Sequence, residues 1–221
     1  MNQYQSVKKA CKINASIFNE ITKDFNFEKE NDVRDYILKR FKDYGVGSSY
    51  PPIVANNNSL VHAKPRDINF SRGFLILDFG AKVNGYCTDM TRTVFIGKAN
   101  SKEKKLYDLI KKCQWKCVQK VRDGVSGFEL DRYSRDLLGR YKKYYMHGLG
   151  HGVGKHIHIK PKLHPKSNDF LREGDFITIE PGIYISNKKE KFGIRIEDTL
   201  LVKKEGYEIM TIVPRDFIEI C

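Results

Sequence analysis

Four acids and a cluster of histidines carry the chemistry this sequence offers. Asp78 and Asp89 lie eleven positions apart in FLILDFGAKVNGYCTDMTRTVF, residues 74–95. An apolar run delivers Asp78, and Asn84-Gly85 then falls between two strand-like segments, a strong hairpin signal. A hairpin turning there predicts both carboxylates on paired strands at similar depth. Taken alone, the two read most simply as solvated hairpin acids. Glu180 and Glu197 form a second pair, seventeen positions apart, in TIEPGIYI and GIRIEDTLLV. Each sits in an apolar, strand-like run, with Glu180 just before a Pro-Gly turn, and a buried carboxylate without a partner is costly. Between the pairs, MHGLGHGVGKHIHIKP (residues 146–161) holds His147, His151, His156 and His158, four of the chain's six histidines, interleaved with glycines. Imidazole beside closely approaching backbone is a metal-site composition. The alternative is a glycine-rich loop with surface histidines. Four carboxylates and one imidazole balance two divalent cations, and these donors favour Mn²⁺, Fe²⁺, Co²⁺ or Zn²⁺. Two such ions roughly 3.5–4 Å apart activate a bridging water and stabilise the oxyanion it creates. His62, in the polar loop NNNSLVHAKP, and His156 each read on their own as surface residues.

Helices and strands alternate in a way that positions these groups. Apolar residues near helical period predict a helix over residues 5–23 and a second from Asn31 or Asp32 to just before Gly45. A turn, GVGSSYPP, leads into a short strand at residues 53–55. Capping signals at Asn100–Glu103 and at Ser126 with Glu129 predict helices running to about Arg122 and about Tyr145. Strands at 175–184 and 192–202 make the second hairpin. The second half thus repeats the order of the first, helices and then strands. No linker or low-complexity stretch divides the chain, so residues 1–221 read as one domain of α/β or α+β type.

Composition narrows the class. The net charge is +13, but the lysines are spread along the chain and no RNP motif, zinc-finger spacing or basic heptad region accompanies them. A solvated lysine-rich surface is the reading, with no specific nucleic-acid partner. No stretch approaches 18 consecutive apolar residues, and the N-terminus lacks a signal-peptide pattern, so no membrane role is expected. Five cysteines, Cys11, Cys87, Cys113, Cys117 and Cys221, form no CxxC and no evident disulfide framework, and a reducing, cytoplasmic setting is expected.

The motifs LDFGAKVNGYCTDMTRT, HGLGHGVG, TIEPGIYI and GIRIEDTLLV, in this order and spacing, resemble the metallopeptidase family of methionine aminopeptidases, Xaa-Pro aminopeptidases and prolidases. The resemblance runs from about residue 5 to the C-terminus. It implies the pita-bread fold, with two pseudo-symmetric halves and a curved antiparallel sheet covered by helices. It implies Asp78 on one metal, His151 and Glu180 on the other, and Asp89 and Glu197 bridging both. Glu180 would double as the general acid/base. His62 resembles a histidine that contacts substrate and aids proton transfer, and His158 one that hydrogen-bonds the scissile carbonyl oxygen. The implied activity is hydrolysis of an N-terminal peptide bond by a metal-bridging hydroxide.

His147 in HGLGH, Tyr184 four after Glu180 and Arg195 two before Glu197 look like the Xaa-Pro branch and mark a substrate-binding group. Two features depart from that branch. Residues 1–221 read as the catalytic domain alone, where such peptidases usually carry a separate N-terminal domain as well, and Ile159 stands where the family commonly has an acid after the second histidine. The alternatives are a methionine aminopeptidase acting on nascent chains and a non-catalytic, peptidase-like binding module. Oligomeric state is left open, a monomer being compatible with the sequence.

Overall fold

The computed structural model describes residues 1–220, and Cys221 lies outside them. Helix α1 (Gln3–Lys23) starts at a capping box between Asn2 and Gln5. Its stripe of Val7, Ala10, Ile13, Ile17, Phe18 and Ile21 is buried, as the helical period requires. Helix α2 (Glu30–Asp43) follows, starting one residue before the expected site because the Asp32 carboxylate takes the backbone N–H of Lys29 at 2.8 Å. These helices pack beside the short strands β1 (Gly47–Ser48) and β2 (Ile53–Asn56) and the segment that carries the first acids.

That segment folds differently from one long hairpin. Strand β3 (Gly73–Asp78) pairs antiparallel with β6 (Thr91–Ile96), Asp78 standing opposite Thr91. Between them, β4 (Ala81–Val83) and β5 (Tyr86–Cys87) turn at Asn84-Gly85, both residues having positive φ as a tight hairpin turn needs. This tip peels away to join β1 in a separate three-stranded sheet. Asp89 therefore lies off the ladder, in the irregular link before β6, and not on a strand paired with that of Asp78.

The second half opens with α3 (Ser101–Val118), capped by Asn100 and Glu103, and α4 (Gly127–Leu138), capped by Ser126. Helix α4 stops short of Tyr145: Gly139 takes φ 52° and residues 139–144 continue as a 3₁₀ turn. Strands β7 (Gly150–Gly152), β8 (Ile159–Leu163) and β9 (Phe176–Ile179) follow. The expected strand at 175–184 breaks at Glu180-Pro181, since proline has no N–H for a ladder. The chain does not turn back there but runs on as β10 (Gly182–Ser186), which pairs with β11 (Lys191–Arg195). The strand at 192–202 breaks likewise at Ile196-Glu197 before β12 (Asp198–Lys203). Strands β13 (Gly206–Ile209) and β14 (Glu219–Ile220) complete the chain.

Two main sheets result, β14-β6-β3-β2 and β13-β12-β9-β7-β8. One apolar core lies between the first sheet and α1 and α2, and a larger one lies under α3 and α4. Each fully buried Leu or Ile in them is worth about 1.5–3 kcal/mol. The isolated bridge between Thr91 and Glu197 joins the halves, so the strand ends bearing the acids meet at one seam. No helix is long and apolar enough to cross a membrane among the described residues.

Close backbone approach holds His151 in place. A Cβ at Gly150 would sit 2.0 Å from the Thr178 carbonyl oxygen, so β7 lies against β9 only because residue 150 is glycine. Gly150→Ala should therefore lower the urea unfolding midpoint by an amount corresponding to about 2–3 kcal/mol. An unchanged midpoint would contradict this packing.

Candidate active site

All four acids and His151 meet at the seam. Asp78 ends β3, Asp89 lies in the link before β6, His151 is central in β7, and Glu180 and Glu197 occupy the two strand breaks. The backbone locks them. The Glu180 N–H donates to the Leu149 carbonyl at 2.8 Å and that of Glu197 to Thr91 at 3.0 Å. The Asp89 N–H donates to Thr199 Oγ1 at 3.2 Å. Ligand atoms of Asp78, Asp89 and Glu197 all lie within 4.8 Å of one another, as do those of His151, Glu180 and Glu197, and of Asp89, His151 and His158.

His151 is poised as a ligand. Its Nδ1 lies 3.1 Å from the Gly152 carbonyl, which only an N–H can satisfy. That assigns the proton to Nδ1 and leaves the Nε2 lone pair 3.5 Å from Asp89 Oδ2 and 3.4 Å from Glu180 Oε1. Burial, and then His158 nearby, lowers its pKa to about 3, so the ring is neutral at ordinary pH.

The carboxylates are poorly offset. Burial and the charge of Glu197 push Asp89 and Glu180 well above the usual range, and burial with repulsion from Asp78 lifts Glu197 to about 8. One buried guanidinium, Arg195, pairs with Asp78, and its Nε donates to Thr91 Oγ1 at 3.0 Å. Thr91 donates in turn to Glu197 Oε2 at 2.6 Å. Glu197 Oε1 is buried with no hydrogen-bond partner among the described residues. An orphaned carboxylate oxygen among clustered oxygen and imidazole donors fits a divalent cation.

Arg195, Tyr184 and His147 form one hydrogen-bonded chain. Arg195 Nη1 donates to the Tyr184 hydroxyl, which lies 2.9 Å from His147 Nε2, while His147 Nδ1 sits 2.8 Å from the Gly148 carbonyl. Both ring nitrogens of His147 are thus engaged, and burial lowers its pKa to about 3. His158 stands against His151 with ring centroids 4.3 Å apart, and His62 is 6.5 Å beyond it. Both line a cavity of about 920 Å³ whose floor holds the acids. His156 is exposed and is absent from the cavity wall.

Several contributors were not legible beforehand. Tyr50, in the segment read only as a turn, places its hydroxyl 2.6 Å from Asp78 Oδ1 and also in contact with Asp89 Oδ1, with one proton to give to the pair. Asp131 on α4 accepts the Leu149 N–H at 3.0 Å, and Arg135 donates to the His147 carbonyl at 2.7 Å. Behind Glu197, buried Arg92 donates to its carbonyl at 2.6 Å and pairs with Asp198 at 2.7 Å. An acidic i, i+4 partner for Arg135 was visible at Asp131, but that spacing alone points to a surface pair.

Without metal, the raised carboxyls bind protons in the folded state that the unfolded chain releases. Their stabilising contribution is complete below the unfolded pKa and is lost as pH rises through the folded one. Between about pH 7.5 and 8 the unfolded histidines, whose ordinary pKa is near 6.5, are mostly neutral, so the opposing contribution of the depressed His147, His151 and His158 is nearly over and the carboxyls dominate. In chelator, thermal stability should fall across that window, by at most about 1.4 kcal/mol per pH unit for each proton involved, and added divalent cation should remove the slope. A metal-free stability that rises there would contradict the electrostatic account.

Known proteins share this fold. The chain is 34% identical over 219 residues to the Xaa-Pro dipeptidase of Pyrococcus horikoshii, covering 96% of this chain and 62% of that relative. The Xaa-Pro dipeptidase structure from Bacillus anthracis superposes with a TM-score of 0.93 at 34% identity, covering 99% of this chain and 62% of that one. The X-Pro aminopeptidase structure from Thermotoga maritima gives 0.92 at 30% identity, covering 99% and 63%. The chain thus spans about three fifths of the length of these relatives and has the α+β pita-bread fold that the resemblance implied. The model of metallopeptidase family M24 matches residues 5–204, and the chain belongs to that family.

Proposed function

We propose that residues 1–221 form one catalytic domain, a metal-dependent aminopeptidase that releases an N-terminal residue ahead of proline. The observation that carries this reading is the joining of the donor cluster to the Arg195–Tyr184–His147 chain at the floor of a single cavity. The similarity to Xaa-Pro dipeptidases and an X-Pro aminopeptidase supports the proline preference.

In this reading Asp78, Asp89, His151, Glu180 and Glu197 would together hold two divalent cations. The donor set suits Mn²⁺, Co²⁺, Fe²⁺ or Zn²⁺. Bound there, the ions supply an acidified water and polarise the scissile carbonyl. Arg195 anchors Asp78 and, through Thr91, keeps Glu197 turned into the site. Glu180, ionised once cations are bound, would accept the proton of the attacking water and pass it to the leaving nitrogen as the C–N bond breaks. His158 donates an N–H to the carbonyl oxygen, and burial, followed by the charge of Lys162, favours its neutral form. His62, across the cavity, contacts the peptide and assists proton movement. His147 and Arg195 line the cavity as substrate-binding residues, and Tyr184, hydrogen-bonded to both, completes that group from behind the wall.

The test sets Ala-Pro and Met-Ala peptides side by side with added Mn²⁺ or Co²⁺. Cleavage should favour the Xaa-Pro peptides, and Glu197→Ala should lower kcat by more than about a hundredfold with an unchanged circular-dichroism spectrum. Preference for Met-Ala would replace this reading with a methionine-removing enzyme. Cleavage of neither peptide would leave a non-catalytic binding module.

A further inference from the structure

The cavity has two electrostatic ends. Its floor carries Asp78, Asp89, Glu180 and Glu197, while its outer wall carries Lys64, Lys160, Lys162 and Lys166 against a single acid, Asp169. Asp169 is already committed: it pairs with Lys160 Nζ at 3.1 Å and accepts the Lys162 backbone N–H at 2.9 Å. The Lys162 ammonium donates to the His158 carbonyl. Among the described residues, Lys64, Lys162 and Lys166 have no acid within ion-pair distance. Three of the four lysines, Lys160, Lys162 and Lys166, lie within eight residues after His158 in the chain. Divalent cations on the floor would neutralise the acids there and leave this wall charged.

We propose that the lysine wall is a carboxylate-recognising subsite for the part of the peptide beyond the scissile bond. Substrates then carry an acidic side chain, or a free carboxyl terminus, shortly after the proline. The inference rests on the aminopeptidase reading for its direction. One residue ends at the floor, the scissile carbonyl lies by His158, and the remaining chain leaves along the segment bearing Lys160, Lys162 and Lys166. An extended chain advances about 3.3–3.6 Å per residue, so the first residues after proline pass these ammonium groups. The cavity, at about 920 Å³, is near the upper end of ordinary ligand pockets and has room for them. Partly exposed ammonium groups give modest, salt-screened attraction, which suits selection among peptides.

The experiment measures calorimetric binding of the leaving products Pro-Glu-Glu-amide, Pro-Gln-Gln-amide and Pro-Gln-Gln with a free carboxyl terminus. The metal-loaded protein is compared with the K64Q/K166Q variant at low and high salt. Products need no turnover, so if no peptide is cleaved the aminopeptidase reading fails while these affinities still decide the subsite. At low salt at least one carboxylate-bearing arm should bind about tenfold tighter than the neutral amide, as two or three such pairs allow. The gain should shrink in the variant and in high salt. A gain in the Glu arm identifies longer acidic peptides, and a gain confined to the free-acid arm identifies short peptides with a free terminus. Equal affinities in the unsubstituted protein, or a preference undiminished in K64Q/K166Q, would overturn the proposal.

Discussion

Mutual repulsion among four carboxylates drawn out of water governs this structure. Asp78, Asp89 and Glu197 are buried and Glu180 nearly so, and three of the four are pushed toward their neutral forms. The protein's own offsets are the Arg195 guanidinium and the hydroxyls of Tyr50 and Thr91. They leave one Glu197 oxygen without a partner among the described residues. Such an arrangement persists only if folding elsewhere compensates it or if cations enter it. The apolar cores under both helix pairs supply the first and the donor geometry invites the second.

The architecture that gathers the acids depends on interrupted strands. Unbroken strands through Glu180 and Glu197 would keep each acid within a single sheet. Pro181 ends one ladder, and the step at Ile196-Glu197 transfers the chain from the β10–β11 pair to the five-stranded sheet. Behind the seam, Arg92 gathers the carbonyls of Thr91, Glu197, Val213 and Pro214 while pairing with Asp198. Asp198 also binds Arg215 and Gln114. Removing one member would strand a buried charge, which makes the network a rigid back wall for Glu197.

The five candidate donors were legible because they stand in short motifs that resemble a known family. Asp78, Asp89, His151, Glu180 and Glu197 come together as donors within one cluster set. Helices were legible for the same reason: Asn100 and Ser126 cap as their sequences indicate. Long-range register was not. Asn84-Gly85 turns the chain as expected, yet which strands the turn joins depends on β1, some 35 residues earlier. Tyr50 stayed hidden because GSSYPP signals only a turn, and its contacts with Asp78 and Asp89 arise 28 and 39 residues away. Arg92 and Asp198, 106 positions apart, read as ordinary strand charges until the two sheets meet.

The proposed role of this cluster is to hold two divalent cations. Titration of the chelator-treated protein with Mn²⁺ at neutral pH, in buffers of different ionisation enthalpy, tests it most directly. The account predicts two ions bound per chain with net proton release, because carboxyls held partly protonated by burial and repulsion must give up their protons to become ligands. No stoichiometric binding, or binding without proton release, would contradict it.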